Sequence, residues 1–159
     1  MNKPNFTGSN VLITGASSDV NAILPGATTG ATRLILRIEG LCVFVAAWLA
    51  YARLGDGWGI FAIFFLAPDI SLLGYLGGPR VGAVTYNAAH SYMGAILCLI
   101  AGFLLPLPVL SWAGMIWSAH IGFDRALGYG LKYSAGFGFT HLGRIGRFSR
   151  KIPDVANDN

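Results

Sequence analysis

Four long apolar runs, separated by short turns that carry glycine, proline or acid, organise the chain between residues 34 and 124. They cover residues 34–54, 58–76, 81–105 and 107–124. Apolar residues fill each run continuously instead of alternating, which predicts helices and argues against the strands of a membrane barrel. At 1.5 Å per residue each run covers roughly 30 Å, the second and fourth only just. Residues 81–123 contain no Asp, Glu, Lys or Arg. That stretch is too long for one span, and Pro106 and Pro108 divide it, because proline removes a backbone donor and crowds the preceding turn. Asp56-Gly57 and Gly77-Gly78-Pro79 mark the other two turns. The pattern therefore predicts an all-α fold, a four-transmembrane-helix bundle that runs up-down-up-down.

The flanks read differently. Residues 1–32 are rich in Gly, Ser, Thr and Asn and predict a flexible N-terminal region. No long apolar core follows a basic start there, so the pattern is not that of a standard signal peptide. Residues 33–133 form the membrane domain. Residues 134–159 predict a basic tail lying on the interface.

Composition narrows the class. Of 159 residues, 54% are hydrophobic and 11% are charged, against about 25% charged in soluble domains. So small a chain cannot hide that much apolar surface from water. Disordered chains, coiled coils, disulfide scaffolds and soluble globules are excluded, which leaves an integral membrane protein. Cys42 and Cys98 fall at different depths in their runs, so they predict no disulfide and read as small buried residues.

Charge sets the orientation. Lys3, Arg33, Arg37, Arg80, Arg125, Lys132, Arg144, Arg147, Arg150 and Lys151 fall on one side of the spans, and only Arg53 falls on the other, beside Asp56. The positive-inside rule then puts both termini in the cytoplasm, and an even number of spans agrees. The net charge of +4 reads as contact with anionic lipid headgroups, not as a nucleic-acid surface. The predicted location is a bacterial cytoplasmic membrane.

The stretch VLITGASS at 11–18 imitates the glycine-rich turn that opens a short-chain dehydrogenase. Asp19 and Asn21 stand where further glycines are needed for the backbone to approach a pyrophosphate, and no second strand with a ribose-binding acid follows. Dinucleotide binding is therefore not predicted.

Polar residues inside the spans are the candidate functional groups. On the predicted topology, Glu39, Asp69, Asn87, His90, His120, Asp124 and Arg125 all fall in the cytoplasmic leaflet, although successive helices run in opposite directions. Asp69 is the most costly of them, at roughly 2.5–3.5 kcal/mol near the bilayer centre on insertion scales. Pro68 beside it predicts a kink. Tyr86 and His90 share one helix face, and so do His120 and Asp124, each pair being four residues apart. If those faces meet, two histidines and two carboxylates converge. The leading reading is a hydrogen-bonded polar lock between helices. A ligand or proton site comes second, and a divalent-metal site third, because no HExxH or CxxC spacing is present. No cofactor is expected on the leading reading. Asp124 and Arg125 are expected to pair with Glu39, Arg37 or Arg80. A small-residue stripe, Gly94, Cys98 and Gly102, suits a close crossing within the chain or, in a homo-oligomer, between chains.

The segments LRIEG (36–40), APDISLLGY (67–75), YNAAH (86–90), AHIGFDRALGYGLKY (119–133) and THLG (140–143) resemble a bacterial membrane family known as domain of unknown function 4260. The resemblance covers about residues 33–143 and implies a short multi-helix membrane protein; it implies no activity. Three functions stay open. The first and favoured one is a non-enzymatic membrane component. The second is a small-molecule or proton carrier that uses Asp69, His90, His120 and Asp124. The third is a membrane-embedded, metal-dependent enzyme acting on a lipid-like substrate at the cytoplasmic face.

Overall fold

The computed structural model describes residue 28, residues 30–134 and residues 137–144. The expected flexible region, apart from its last few residues, and most of the expected tail lie outside them. The described chain is helical, save for one two-stranded hairpin. Helix α1 spans Gly30–Leu54, α2 Trp58–Phe65, a 3₁₀ helix η1 Ala67–Gly77, α3 Pro79–Ala89, α4 Tyr92–Leu104 and α5 Pro108–Leu127. Strands β1 (Phe139–Thr140) and β2 (Gly143–Arg144) pair antiparallel. Three stretches are long and apolar enough to cross a membrane: Gly30–Leu54, Trp58–Gly77 and Pro79–Leu104.

The turns fall where glycine and proline put them. Gly57 and Gly78 hold φ of 94° and 104°, a region that side chains with a Cβ avoid. Pro79 and Pro108 open α3 and α5, where a missing N–H costs nothing. At the end of α5, the N–H of Gly128 bonds the Arg125 carbonyl and that of Tyr129 bonds the Asp124 carbonyl, at 3.0 and 2.8 Å. These two bonds form the Schellman pattern, which fixes the last turn.

Helix α5 is the centre of the bundle. It packs against α1, α2 and α4, and it buries a run that includes Met115, Ile116, Ala119, His120 and Ile121. The helices around it turn large apolar side chains outward, among them Leu34, Ile38, Leu49, Ile63 and Met93. An outer surface of this kind is what hydrocarbon accepts and water does not. Helices α1 and α5 cross closely at Gly40 and Gly122. A Cβ on Gly122 would stand 2.6 Å from the Phe44 amide nitrogen and 2.8 Å from the Gly40 carbonyl oxygen. The stripe on α4 also faces inward, with Gly94 against Trp117 and Gly102 against Ser111.

Two expected helices are not continuous. The second apolar run changes from α-helix to 3₁₀ at Pro68, where the missing N–H stops the α ladder. The 3₁₀ form persists for eleven residues, far beyond the usual three or four. It is braced by an antiparallel pairing with α3: Gly74 lies against Thr85, and Gly82 against the Tyr75 ring. The third run, expected as one helix over 81–105, breaks at His90 and Ser91. Ser91 is extended at φ −93°, ψ 147° and starts α4 afresh. A second correction concerns Cys42. Expected to be buried, it lies on the exposed face of α1, whereas Cys98 is partly buried and both thiols are free.

After α5 the chain returns across the end of the bundle. Tyr133 and His141 exchange backbone bonds with Phe139 and Leu131, at 2.8 and 3.1 Å. Leu142 and Thr140 are fully buried.

Candidate metal centre

Four side chains from three segments meet beside the break in the third run. Asp69 comes from the start of η1, His90 from the end of α3, and His120 and Asp124 from successive turns of α5. From Pro108 to His120 the helix rises about 18 Å, so the group lies well inside the bundle and nearer the C-terminal end of α5.

The four donor groups converge closely enough to share one ion. His90 Nε2 is 3.1 Å from His120 Nε2. It is 3.5 Å from both Asp69 Oδ1 and Asp124 Oδ2. His120 Nε2 is 3.7 Å from Asp69 Oδ1 and 3.9 Å from Asp124 Oδ2. One donor atom from each residue lies within 4.8 Å of all the others. Donors held at 2.0–2.2 Å around one tetrahedral ion stand about 3.3–3.6 Å apart.

The surroundings orient the ligands. His90 Nδ1 lies 3.0 Å from the Tyr86 carbonyl one turn earlier. With its proton committed to that bond, Nε2 is left as a lone pair facing the cluster, the usual second-neighbour arrangement of a metal-bound imidazole. The Tyr86 ring stacks on the His90 ring with centroids 3.7 Å apart, and its hydroxyl donates to Asp124 Oδ2 at 3.2 Å. His120 is wedged edge-on against Phe65 and His90. Both histidines are 2% exposed. The Asp69 side chain is 42% exposed and that of Asp124 is 17% exposed, so the group is closed on the imidazole side and open on the carboxylate side.

Other candidates lie apart. Asn87 grips the backbone of Lys132 from both sides, donating to its carbonyl at 2.9 Å and accepting its N–H at 2.6 Å. Arg125 does not pair with Glu39. Its Nη1 stands 2.8 Å from His141 Nε2, and its Nη2 donates to the His90 carbonyl at 3.5 Å. Asp124 faces the histidines and Tyr86. Arg37 donates to the Ala126 carbonyl at 2.8 Å. Glu39 is exposed on α1 and makes no ion pair among the described residues. The expected interfacial ion pair gives way because the Schellman turn and the hairpin bring backbone carbonyls and His141 closer to the arginines than any carboxylate.

Lys132 is the residue that sequence reasoning missed. The tyrosines around it suggest a headgroup anchor, yet it is only 4% exposed, and its Nζ has no hydrogen-bond partner among the described residues. The ammonium stands 3.9 Å from the centroid of Phe137 and 4.8 Å from that of Tyr86. Burial pulls its pKa down to about 8, against an opposing pull from Asp124. Burial, and then the neighbouring Arg125, likewise lower the pKa of His141. The spacing of Lys132 from Tyr129 and Tyr133 was visible in the sequence; the fold-back that buries it was not.

Comparison with curated proteins and with solved structures finds no match. The model of one family, described as domain of unknown function (DUF4260), matches residues 33–145. That range contains all four ligand candidates together with Tyr86, Lys132 and the hairpin, and the chain belongs to this family.

Proposed function

We propose that this protein is a metal-dependent hydrolase embedded in a bacterial cytoplasmic membrane, with Asp69, His90, His120 and Asp124 holding one divalent transition-metal ion. The mutual spacing of the four donor atoms carries this reading. Imidazole and carboxylate together suit zinc, manganese or iron(II). Four protein ligands fill a tetrahedral shell, so a reactive water would take a further coordination position on the exposed side beside Asp69. An ion there would bring the pKa of bound water to about 7 and supply a nucleophile at neutral pH.

The topology is part of the same proposal. Helix α5 is the fourth span, and its polar content is tolerated because the other helices enclose it. Both ends of the domain lie on the basic, cytoplasmic side, where the excess of Lys and Arg in the sequence favours anionic headgroups. The centre then opens toward the inner leaflet.

Metal content tests the reading. Detergent-purified protein should carry close to one equivalent of a divalent metal, and folded Asp69→Asn, His90→Ala and His120→Ala variants should lose it. A parent protein that neither contains nor takes up zinc, manganese or iron would overturn it. The 3.1 Å contact between the two Nε2 atoms would then be a direct hydrogen bond, and the tetrad a polar lock in a non-enzymatic membrane component.

A further inference from the structure

Two cavities flank the tetrad, and they differ in chemistry. The first, of about 300 Å³, lies on the side toward the end of α5 and is bordered by Asp69, Tyr86, Asp124, Tyr129, Lys132 and Phe137. The second, of about 320 Å³, is bordered by Phe64, Pro68, Ala89, Ile116 and Trp117. Pro68 and Ala89 immediately precede the ligands Asp69 and His90, and Ile116 lies one turn before His120 on the same helix face. Asp69 and Asp124 thus border the charged chamber directly, and Asp69 and His90 are each one residue along the chain from the wall of the apolar one. Phe64, in the apolar wall, is also exposed on the bilayer-facing surface.

The charged chamber holds a cation with no hydrogen-bond partner among the described residues. Among the groups bordering this chamber, two aspartates and one divalent ion would cancel, which leaves the charge of Lys132. Its ammonium is buried, donates no hydrogen bond among the described residues, and is held by the Asn87 clamp on its own backbone. The Phe137 and Tyr86 rings compensate only part of the lost hydration. Arg125 is engaged by His141 and the His90 carbonyl. What fits between a metal ion and Lys132 is an anionic group with several oxygens. What fits the second chamber is a hydrocarbon chain.

Resting on the metal-centre reading, we propose that the substrate is a phosphate-bearing amphiphile, its phosphate set between the ion and Lys132 and its apolar chain in the cavity walled by Phe64, Ile116 and Trp117. Hydrolysis there uses one water. Its oxygen bonds to phosphorus, the P–O bond to the lipid alcohol breaks, and the alcohol leaves with one of the water's protons.

Binding to the full-length, metal-loaded protein in detergent tests this by calorimetry with three probes: dihexanoyl phosphatidic acid, dihexanoylglycerol and inorganic phosphate. The phosphatidic acid should bind about tenfold or more tightly than either of the others, since each lacks one half of the recognition. Lys132→Met should lose about tenfold in that affinity, with metal content unchanged, and Lys132→Arg should restore part of it. Equal binding of inorganic phosphate would overturn the chain cavity. Equal binding of dihexanoylglycerol, or no effect of Lys132→Met, would overturn the phosphate site. A parent without metal overturns the metal reading separately. If its phosphatidic acid binding still depends on Lys132, the headgroup site stands; if binding is gone, both fall.

Discussion

His90 and Tyr86 sit one helical turn apart and are joined twice, by a 3.0 Å contact from the imidazole Nδ1 to the tyrosine carbonyl and by stacking of their rings. Tyr86 then reaches across to Asp124 through its hydroxyl. One side chain thus orients a histidine and a carboxylate that come from different helices. Tyr86→Phe keeps the stacking and removes only the hydroxyl. It should weaken metal affinity by roughly 10–100-fold and leave the fold intact, as measured by competition with a chromophoric chelator.

Metal retention should depend on pH. Each imidazole must be neutral to bind, so affinity falls as pH falls, with as many as two protons taken up per ion released. Titrating metal occupancy from pH 8 to pH 5 should show a steep loss. Occupancy unchanged down to pH 5 would exclude a two-histidine site.

Lys132 gives a dependence of opposite origin. Its pKa in the folded protein is about 8, below the value of about 10.4 for an exposed lysine. Between those two values the unfolded chain holds more protons than the folded one, so stability rises with pH. Below about 8 the full cost of burying the charge is present at every pH. The thermal midpoint in detergent should therefore climb from pH 8 to pH 10, and Lys132→Met should flatten that climb.

The α1–α5 crossing should not tolerate a methyl group. At Gly122 an added Cβ would meet the Phe44 amide and the Gly40 carbonyl, backbone atoms that cannot rotate away. Gly122→Ala should cost about 1–3 kcal/mol, read as a lower unfolding midpoint. Gly59 in α2 has nothing within 4 Å of its would-be Cβ, and Gly59→Ala should be neutral or slightly stabilising.

Orientation is testable with reporter fusions. A periplasm-dependent phosphatase fused after Asp56 should be active, and one fused after Arg144 inactive. The reverse pattern would invert the assignment and place the centre in the outer leaflet.

The turns and the polar tetrad were legible because their causes are local. Glycine and proline mark turns by their own backbone chemistry, and spacings of four put Tyr86 with His90 and His120 with Asp124. Pro68 announced an interruption, though not the long 3₁₀ stretch beyond it, which depends on Gly74 and Gly82 meeting a neighbouring helix. The break at His90 and Ser91 had no local signal, since neither residue is a helix breaker; it reflects the packing that brings His90 to α5. Glu39 looked like a partner for Arg125 because charge and leaflet matched, but side chain–backbone bonds took the arginines. The centrality of α5 was hidden for a related reason. The enclosed helix can be the least apolar of the set, so composition pointed away from its role.

That arrangement bears on biogenesis. The helix that α1, α2 and α4 all pack against is also the last of the described helices in chain order. The earlier apolar stretches have the length and hydropathy of spans, and η1 and α3 can pair with each other, but α1, α2 and α4 do not meet their main neighbour until residue 127 has been synthesised. His120 and Asp124 arrive with that helix. On the metal-centre proposal, metal capture and bundle closure become one event, and a chain truncated before α5 would leave loose helices exposed to quality-control proteases.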